Sequence, residues 1–255
     1  MKKRNDSKIT MAALMMMAAM AMTSCASSKK INGDSNVSKD SEMGKNEEDL
    51  DNSYLVLSDT QQDIVKKNNA FALRLFNKVT DMESKVISPM SVSYLMGMLA
   101  NGADGITQQE ILKAIGCEGV SVNDLNELYK AMLLNANHQD KQTTVNIANY
   151  IAVNKNFKLN NNFSQQVSDS YQAGIESLDF TSSKSTDRIN GWCKEKTNGM
   201  IPRIIDQVSA DAVSYLMNAI YFKGIWQNKF NAKDTKLENF RGYTRDIQKV
   251  EMMHQ

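Results

Sequence analysis

One segment, 215–222, constrains the fold more than any other part of the sequence. Its residues, YLMNAIYF, are apolar on both faces of a strand apart from Asn218, which is typical of a central strand that is covered on two sides. A buried side-chain amide without partners costs roughly 1–3 kcal/mol. The chain must therefore supply a sheet, cover for both of its faces, and polar groups that reach Asn218.

The order of the hydrophobic periods indicates the fold class. Apolar residues recur at helical steps in the first half of the domain, and the two-residue alternation of strands takes over later, as in 145–153. Thr107 and Glu110 form a capping box that predicts the start of a short helix. Helices that precede strands predict an α+β domain rather than repeating βαβ units. The other predicted elements are helices from near Ile64 and over 123–137, 161–173 and 185–198, and strands over 86–87, 175–180, 237–244 and from 247 onward.

The helix predicted over 89–101 has marked ends. Ser88 can cap its first free N–H groups, and Pro89 suits the first helical position. Gly102 can adopt the left-handed conformation that ends many helices. Because apolar residues surround this helix on nearly every side, we expect it to be buried.

The N-terminus resembles a bacterial lipoprotein signal. Three basic residues precede an apolar run over 11–22, which ends in Thr-Ser-Cys25. We expect 1–24 to be a signal peptide and Cys25 to be acylated, the alternative being a plain secretory peptide in which Cys25 has no role. The polar stretch 25–63 is expected to be a disordered tether. The domain then occupies 64–255.

An acylated Cys25 also predicts where the protein resides. Two or more acyl chains give stable membrane attachment, so we expect secretion across the inner membrane followed by lipid anchoring. Ala26 stands where some bacteria use Asp to retain lipoproteins at the inner membrane. The outer membrane or the cell surface is therefore the expected location.

The sequence contains no recognisable catalytic, cofactor or metal motif. His138 and His254 are solitary, and no Gly-x-Ser-x-Gly elbow occurs. A net charge of +1 without basic clusters argues against a nucleic-acid partner. Cys117 and Cys193 can form one bridge or stay as two independent thiols, and we favour the second. We therefore expect no enzyme, no cofactor and no metal site.

Six separated motifs resemble the serpin family, in the family's order and at its spacing. They are NAFALRLF at 69–76, VISPMSVS at 86–93, NGADGIT at 101–107, INGWCKEKTNGMI at 189–201, MNAIYFKGIW at 217–226 and Met252-Met253. Cys193 stands where the family usually has Val. Each motif alone is weak to moderate evidence, but together they cover about 64–255 and are highly specific.

The resemblance implies an inhibitor of serine or cysteine proteases that acts as a monomer. In such a protein the target protease cleaves an exposed reactive loop, which then inserts as a strand into the large sheet A and traps the enzyme. The resemblance assigns Ser88, Ser91 and Asn218 to the shutter beneath the centre of that sheet. It assigns Trp226 to the breach, where insertion begins.

The sequence departs from the family at Gln255, before the reactive loop. The resemblance therefore implies an incomplete serpin fold with the N-terminal helices, part of sheet A and two strands of sheet C, while sheet B is largely missing. We expect 215–222 to become an open edge, helix 89–101 to lose cover, and this chain not to inhibit by itself. The alternative is a non-inhibitory surface binding or structural lipoprotein. An in-frame continuation that encodes a reactive loop would favour the first interpretation, and independent folding of 64–255 the second.

Overall fold

The computed structural model describes residues 55–81, 85–136, 143–243 and 245–254. Within these ranges the helices are α1 (Asp59–Val79), α2 (Pro89–Asn101), α3 (Gly105–Ala114), α4 (Val122–Asn135), α5 (Asn161–Tyr171) and α6 (Ser183–Lys196). The strands are β1 (Thr144–Asn154), β2 (Gly174–Leu178), β3 (Ser214–Lys223), β4 (Lys236–Arg241) and β5 (Ile247–Met252), with a 3-10 helix at Ala232–Asp234. The predicted signal peptide, Cys25 and most of the predicted tether lie outside the described residues.

Helix α1 begins at Asp59, earlier than the apolar period predicted. Ser58 Oγ accepts a hydrogen bond from Gln61 N at 3.2 Å, and Gln61 Oε1 accepts one from Ser58 N at 3.0 Å. This reciprocal capping box uses polar side chains, which carry no hydrophobic period. The prediction of a tether up to residue 63 is therefore wrong for its last residues, which are helical.

The predicted start of α2 is confirmed, but its predicted end is not. Ser88 is the N-cap and Pro89 opens the helix. Gly102 has φ −96° and ψ −1°, a right-handed conformation, so the expected left-handed stop is wrong. The predicted strand at 86–87 is irregular backbone, because no other described strand pairs with it.

Helix α3 begins before its predicted capping box. Asp104 is the N-cap, and its carboxylate accepts a hydrogen bond from Gly105 N at 2.7 Å. Gly105 has φ +57°, a conformation that suits glycine. Thr107 therefore lies inside the helix rather than at its cap.

The strands form two sheets. The first has the order β2-β1-β3, in which β1 is parallel to β2 and antiparallel to β3. The second is the antiparallel pair β4-β5. The apolar pattern predicted a central strand over 215–222, but among the described strands β3 is an edge and β1 is central. The open edge expected from the resemblance is what the described residues contain.

Two hydrophobic clusters cover the two faces of the first sheet, which confirms the α+β prediction. On the lower face, side chains of β1 such as Ile151 and Val153 pack with apolar residues of α1 to α5, which lie beneath the sheet. On the upper face, Tyr150, Ala152 and Met217 pack with α6 and the segment that follows it, which lie above the sheet. The sheet is thus held between two layers.

Helix α2 is buried or half-buried at every position but one. Tyr94 and Met98 are 0% exposed, whereas Leu99 is 45% exposed. The expectation of burial on nearly every side is therefore confirmed except at Leu99, and the half-buried residues agree with the loss of cover expected from the resemblance.

Candidate functional site

Two serines meet at the start of α2. Ser88 caps the helix, and Ser91 lies one turn later, so that both hydroxyls are on the same side of the first turn. Their Oγ atoms are 2.9 Å apart, and Ser91 N donates to Ser88 Oγ at 3.3 Å. Both residues are buried. The serine pair is therefore a local hydrogen-bonded unit beneath the sheet.

Asn218 lies in the middle of β3, directly opposite Asn149 of β1. Asn218 Nδ2 donates to Asn149 Oδ1 at 2.8 Å. Asn218 Oδ1 is buried and accepts no hydrogen bond within the part of the chain that the structure describes. The partner that the sequence predicted for this amide is thus present at one of its ends.

Ser91 and Asn218 line the same small cavity. Its volume is about 10 Å³, close to the least space that holds one water molecule. Its lining residues are Ser91, Cys193, Ile201, Ile204, Asn218, Ala219 and Ile220. Because this lining combines α2 from one face of the sheet with α6 from the other, the cavity lies at the edge of β3 with which no other described strand pairs.

Trp226 is separate from this group. It follows the end of β3 in an irregular segment, is 63% exposed, and packs edge-on against Phe230 with ring centroids 5.5 Å apart. The structure therefore brings Ser88, Ser91 and Asn218 together and leaves Trp226 apart.

Asn149 is a residue of this site that the sequence analysis missed. It is 3% exposed and interrupts the apolar face of β1 formed by residues such as Ile147 and Ile151. The same signal singled out Asn218, namely one amide on an otherwise apolar strand face, and it could have found Asn149.

A model of the serpin family, described as serine protease inhibitor, matches residues 66–255. The match covers most of the chain. The chain belongs to the serpin family.

Curated serpins from animals support this assignment. The chain is 31% identical to serine protease inhibitor 42Dd of Drosophila melanogaster over 71% of this chain and 50% of that protein. It is 32% identical to the leukocyte elastase inhibitor of Bos taurus over 74% of this chain and 51% of that protein. The chain thus spans about half the length of the curated relatives it matches.

Solved serpin structures match the described fold as well. The thermophilic serpin tengpin matches in its native state with a TM-score of 0.69 at 31% identity, over 78% of this chain and 50% of that one. The same serpin in its latent state matches with a TM-score of 0.68 at 32% identity, over 78% and 53%. Reactive-loop-cleaved human thyroxine-binding globulin matches with a TM-score of 0.72 at 26% identity, over 77% and 60%.

In this serpin, an ion pair and several hydrogen bonds hold α6 against the sheet. Arg188 donates through Nε to Glu176 Oε1 at 3.1 Å and through a terminal nitrogen to Oε2 at 2.8 Å, which also accepts from the Tyr150 hydroxyl at 2.8 Å. Trp192 stacks on Tyr150 with ring centroids 5.1 Å apart. Burial would raise the pKa of Glu176, but the hydrogen bonds from Tyr150 and Arg188 lower it. The carboxylate therefore stays ionised beside the guanidinium.

The two cysteines of the domain are separate free thiols. Cys117 lies in the cluster beneath the sheet and Cys193 in the cluster above it. Burial raises the pKa of each thiol, which keeps both in the unreactive protonated form. This arrangement confirms the interpretation as two independent thiols.

The described ranges lack two kinds of feature. Residues 55–81, 85–136, 143–243 and 245–254 contain no group of three His, Cys, Asp or Glu side chains placed to hold a metal ion. The helices within those ranges are too short or too polar to span a bilayer.

Proposed function

We propose that the whole protein is an inhibitor of serine or cysteine proteases, and that this segment carries the sheet edge where a cleaved reactive loop inserts. One observation carries the proposal: Ser91 and Asn218 line one cavity at the unpaired edge of β3. An added strand would pair with the free backbone N–H and C=O groups of this edge. Relatives named as protease inhibitors, including the bovine leukocyte elastase inhibitor, support it.

In this mechanism the serine pair and Asn218 form the shutter, and Trp226 marks the breach. A buried hydrogen-bond network stabilises the closed arrangement while its partners stay paired, and it weakens when one partner moves. Insertion of a strand beside β3 would move Asn218 relative to Ser91. The shutter would thus help to set how readily the sheet accepts a further strand.

Protease trapping provides the direct test. The product of the whole reading frame is incubated with trypsin, chymotrypsin, elastase and papain and then analysed by denaturing electrophoresis. We expect a covalent complex, stable to detergent, with at least one enzyme, and no complex when that enzyme's nucleophile is blocked. Cleavage or indifference across the panel would contradict the proposal.

The shutter assignment has its own test in the same whole protein. We expect Asn218→Ala to lower the melting temperature and to promote spontaneous loop insertion, which reduces inhibition. Asn239→Ala, on the exposed face of β4, is the matched control and should change neither. Unchanged melting and unchanged inhibition in Asn218→Ala would reject the role.

The proposal includes a lipid anchor at Cys25 and a location at the outer membrane or cell surface. Metabolic labelling with an alkyne-tagged fatty acid should mark the wild-type protein in the membrane fraction. Cys25→Ser should abolish both the label and the membrane association. Unchanged labelling of this variant would exclude Cys25 as the acceptor, and a secreted, unlabelled wild-type protein would favour the plain secretory peptide.

A non-inhibitory surface binding or structural lipoprotein is the second candidate. Its support is the similarity to thyroxine-binding globulin, which is also represented by a structure with its ligand bound. A stable, monomeric protein that is cleaved by proteases without trapping any of them would favour this candidate.

A further inference from the structure

The hydrogen bonds of Asn149 and Asn218 run in one direction through the sheet. Asn218 Nδ2 donates to Asn149 Oδ1 at 2.8 Å, and Asn149 Nδ2 donates to the backbone carbonyl of Tyr171 at 2.7 Å. Both ends of the Asn149 amide are therefore engaged within the protein.

The Tyr171 carbonyl decides this direction. A carbonyl oxygen can only accept a hydrogen bond, so Asn149 must turn its NH₂ group toward the end of α5. Its oxygen then faces Asn218, which must present its own NH₂ group in turn. The remaining polar atom of Asn218, Oδ1, is consequently an acceptor.

Tyr171 is itself fixed by the helices below the sheet. Its hydroxyl donates to Asn126 Oδ1 at 2.8 Å, and Asn126 exchanges hydrogen bonds of 2.9 and 2.8 Å with Asn101. Gly97 leaves room for the hydroxyl, because a Cβ atom there would collide with it. With Tyr171 0% exposed, its ring and the adjoining backbone have little freedom to reorient.

We propose that Asn149 is a positioning residue that fixes the polarity of Asn218. The edge of β3 then offers a hydrogen-bond acceptor, Asn218 Oδ1, beside Ser91. A strand or side chain that packs against this edge must therefore present an N–H or O–H donor to it. The inference rests on the proposed role of Asn218 at the sheet edge. Its test uses no protease, so that its failure is distinct from a failure of inhibition.

The test replaces Asn218 by a group that reports polarity. In the full chain carrying Asn218→Asp, the new carboxyl faces Asn149 Oδ1 and must keep its proton in order to donate. We expect its pKa, measured by carbon-13 NMR, to lie at least about one unit above the ordinary aspartate value of about 3.9. If Asn149 can turn over, it will donate to the carboxylate instead, and the pKa will not be raised in this way.

Burial alone also raises the pKa of a carboxyl group, so a matched control is needed. In the double variant Asn149→Ala/Asn218→Asp, the fixed amide oxygen that requires a donor is removed. We expect the pKa to fall by about one unit or more relative to Asn218→Asp alone, roughly a tenfold change in proton affinity. Equal pKa values in the two variants would overturn the proposal.

A second pair of variants covers the case in which Asn218→Asp does not fold. An ionised carboxylate in Asn149→Asp cannot donate to the Tyr171 carbonyl, whereas the hydroxyl of Asn149→Ser can. The carboxyl's folded-state pKa is then raised, and its stability contribution is lost as pH rises from about 4 through that value. We expect the urea midpoint of Asn149→Asp to fall between pH 4 and 7 relative to Asn149→Ser. Parallel pH profiles would overturn the proposal.

Discussion

Strand β1 and the β4-β5 hairpin lie within the same family match but have opposite environments. Strand β1 is paired along both edges, and most of its residues are buried. Neither β4 nor β5 has a buried residue, and Leu237 and Phe240 are 63% and 50% exposed. An isolated two-stranded hairpin is marginally stable at best. Family motifs can thus identify a family without indicating which parts of the chain carry its stability.

The largest expected effect contrasts two leucines. Leu128 of α4 is 0% exposed in the cluster beneath the sheet, so Leu128→Ala should lower the free energy of unfolding by about 2–5 kcal/mol. Leu237→Ala on the hairpin is the control and should change it by no more than about 0.5 kcal/mol. Urea unfolding followed by circular dichroism measures both, and equal losses would mean that the hairpin has a core of its own.

Hydrogen exchange compares the two regions without mutation. Amides of β1 are held between two strands and should open only with the sheet, whereas those of β4 and β5 should open locally. We expect the hairpin amides to exchange at least about a hundredfold faster, a difference of about 2.7 kcal/mol in opening free energy. Similar protection in both regions would remove the distinction.

Much of this architecture was predictable, and the errors have identifiable causes. Period and capping chemistry located α2 at its start, because Ser88 and Pro89 are local signals. The edge position of β3 has no local signal. An apolar pattern indicates that both faces of a strand are covered, but not that a neighbouring strand pairs along each of its edges. Asp104 rather than Thr107 caps α3. The sequence could not decide between them, because the two possible caps are close together and their spacing does not show which one is used.

The candidate site was predictable only in part. Asn218 stood out as an amide on an apolar strand, but its proximity to Ser91 came from the family resemblance and not from spacing. Asn149 carries the same local signal and was missed, although it is the hydrogen-bond partner of Asn218. Which end of each amide faces which neighbour depends on the Tyr171 carbonyl, a contact between α5 and β1 that no sequence period reports.

A smaller expected effect contrasts alanine substitutions at two glycines, which lie in helices packed on opposite faces of the first sheet. A Cβ added at Gly97 would collide with the Tyr171 hydroxyl and lie 3.0 Å from the Tyr129 ring, so Gly97→Ala should cost about 1–3 kcal/mol. Gly191 lies in α6 with no atom within 4 Å of its added Cβ, and Gly191→Ala should stabilise by about 0.5–1 kcal/mol. Urea midpoints decide the signs. Two shifts of the same sign would show that the space around Gly97 relaxes.

The smallest expected effect concerns an ion pair on the surface of the region around the first sheet. Because solvent screens its charges, we expect this pair to contribute as little to stability as the exposed hairpin does. Lys155 Nζ donates to Asp179 Oδ2 at 2.8 Å, and the backbone N–H and hydroxyl of Thr181 donate to Oδ1 at 3.0 and 2.6 Å. The hydrogen bond from Lys155, followed by those from Thr181, lowers the pKa of Asp179 to about 2.

Because this pKa is depressed in the folded state, the contribution of Asp179 is complete above the unfolded value of about 4 and is lost as pH falls through about 2. Asp179→Asn should remove that pH dependence together with the contribution at neutral pH, which should be a small loss because solvent screens an exposed ion pair. An NMR titration of the carboxyl carbon measures the pKa directly. A pKa near 4 would mean that solvent screens this contact completely. The surface charges around the first sheet would then contribute no more to stability than the exposed hairpin does.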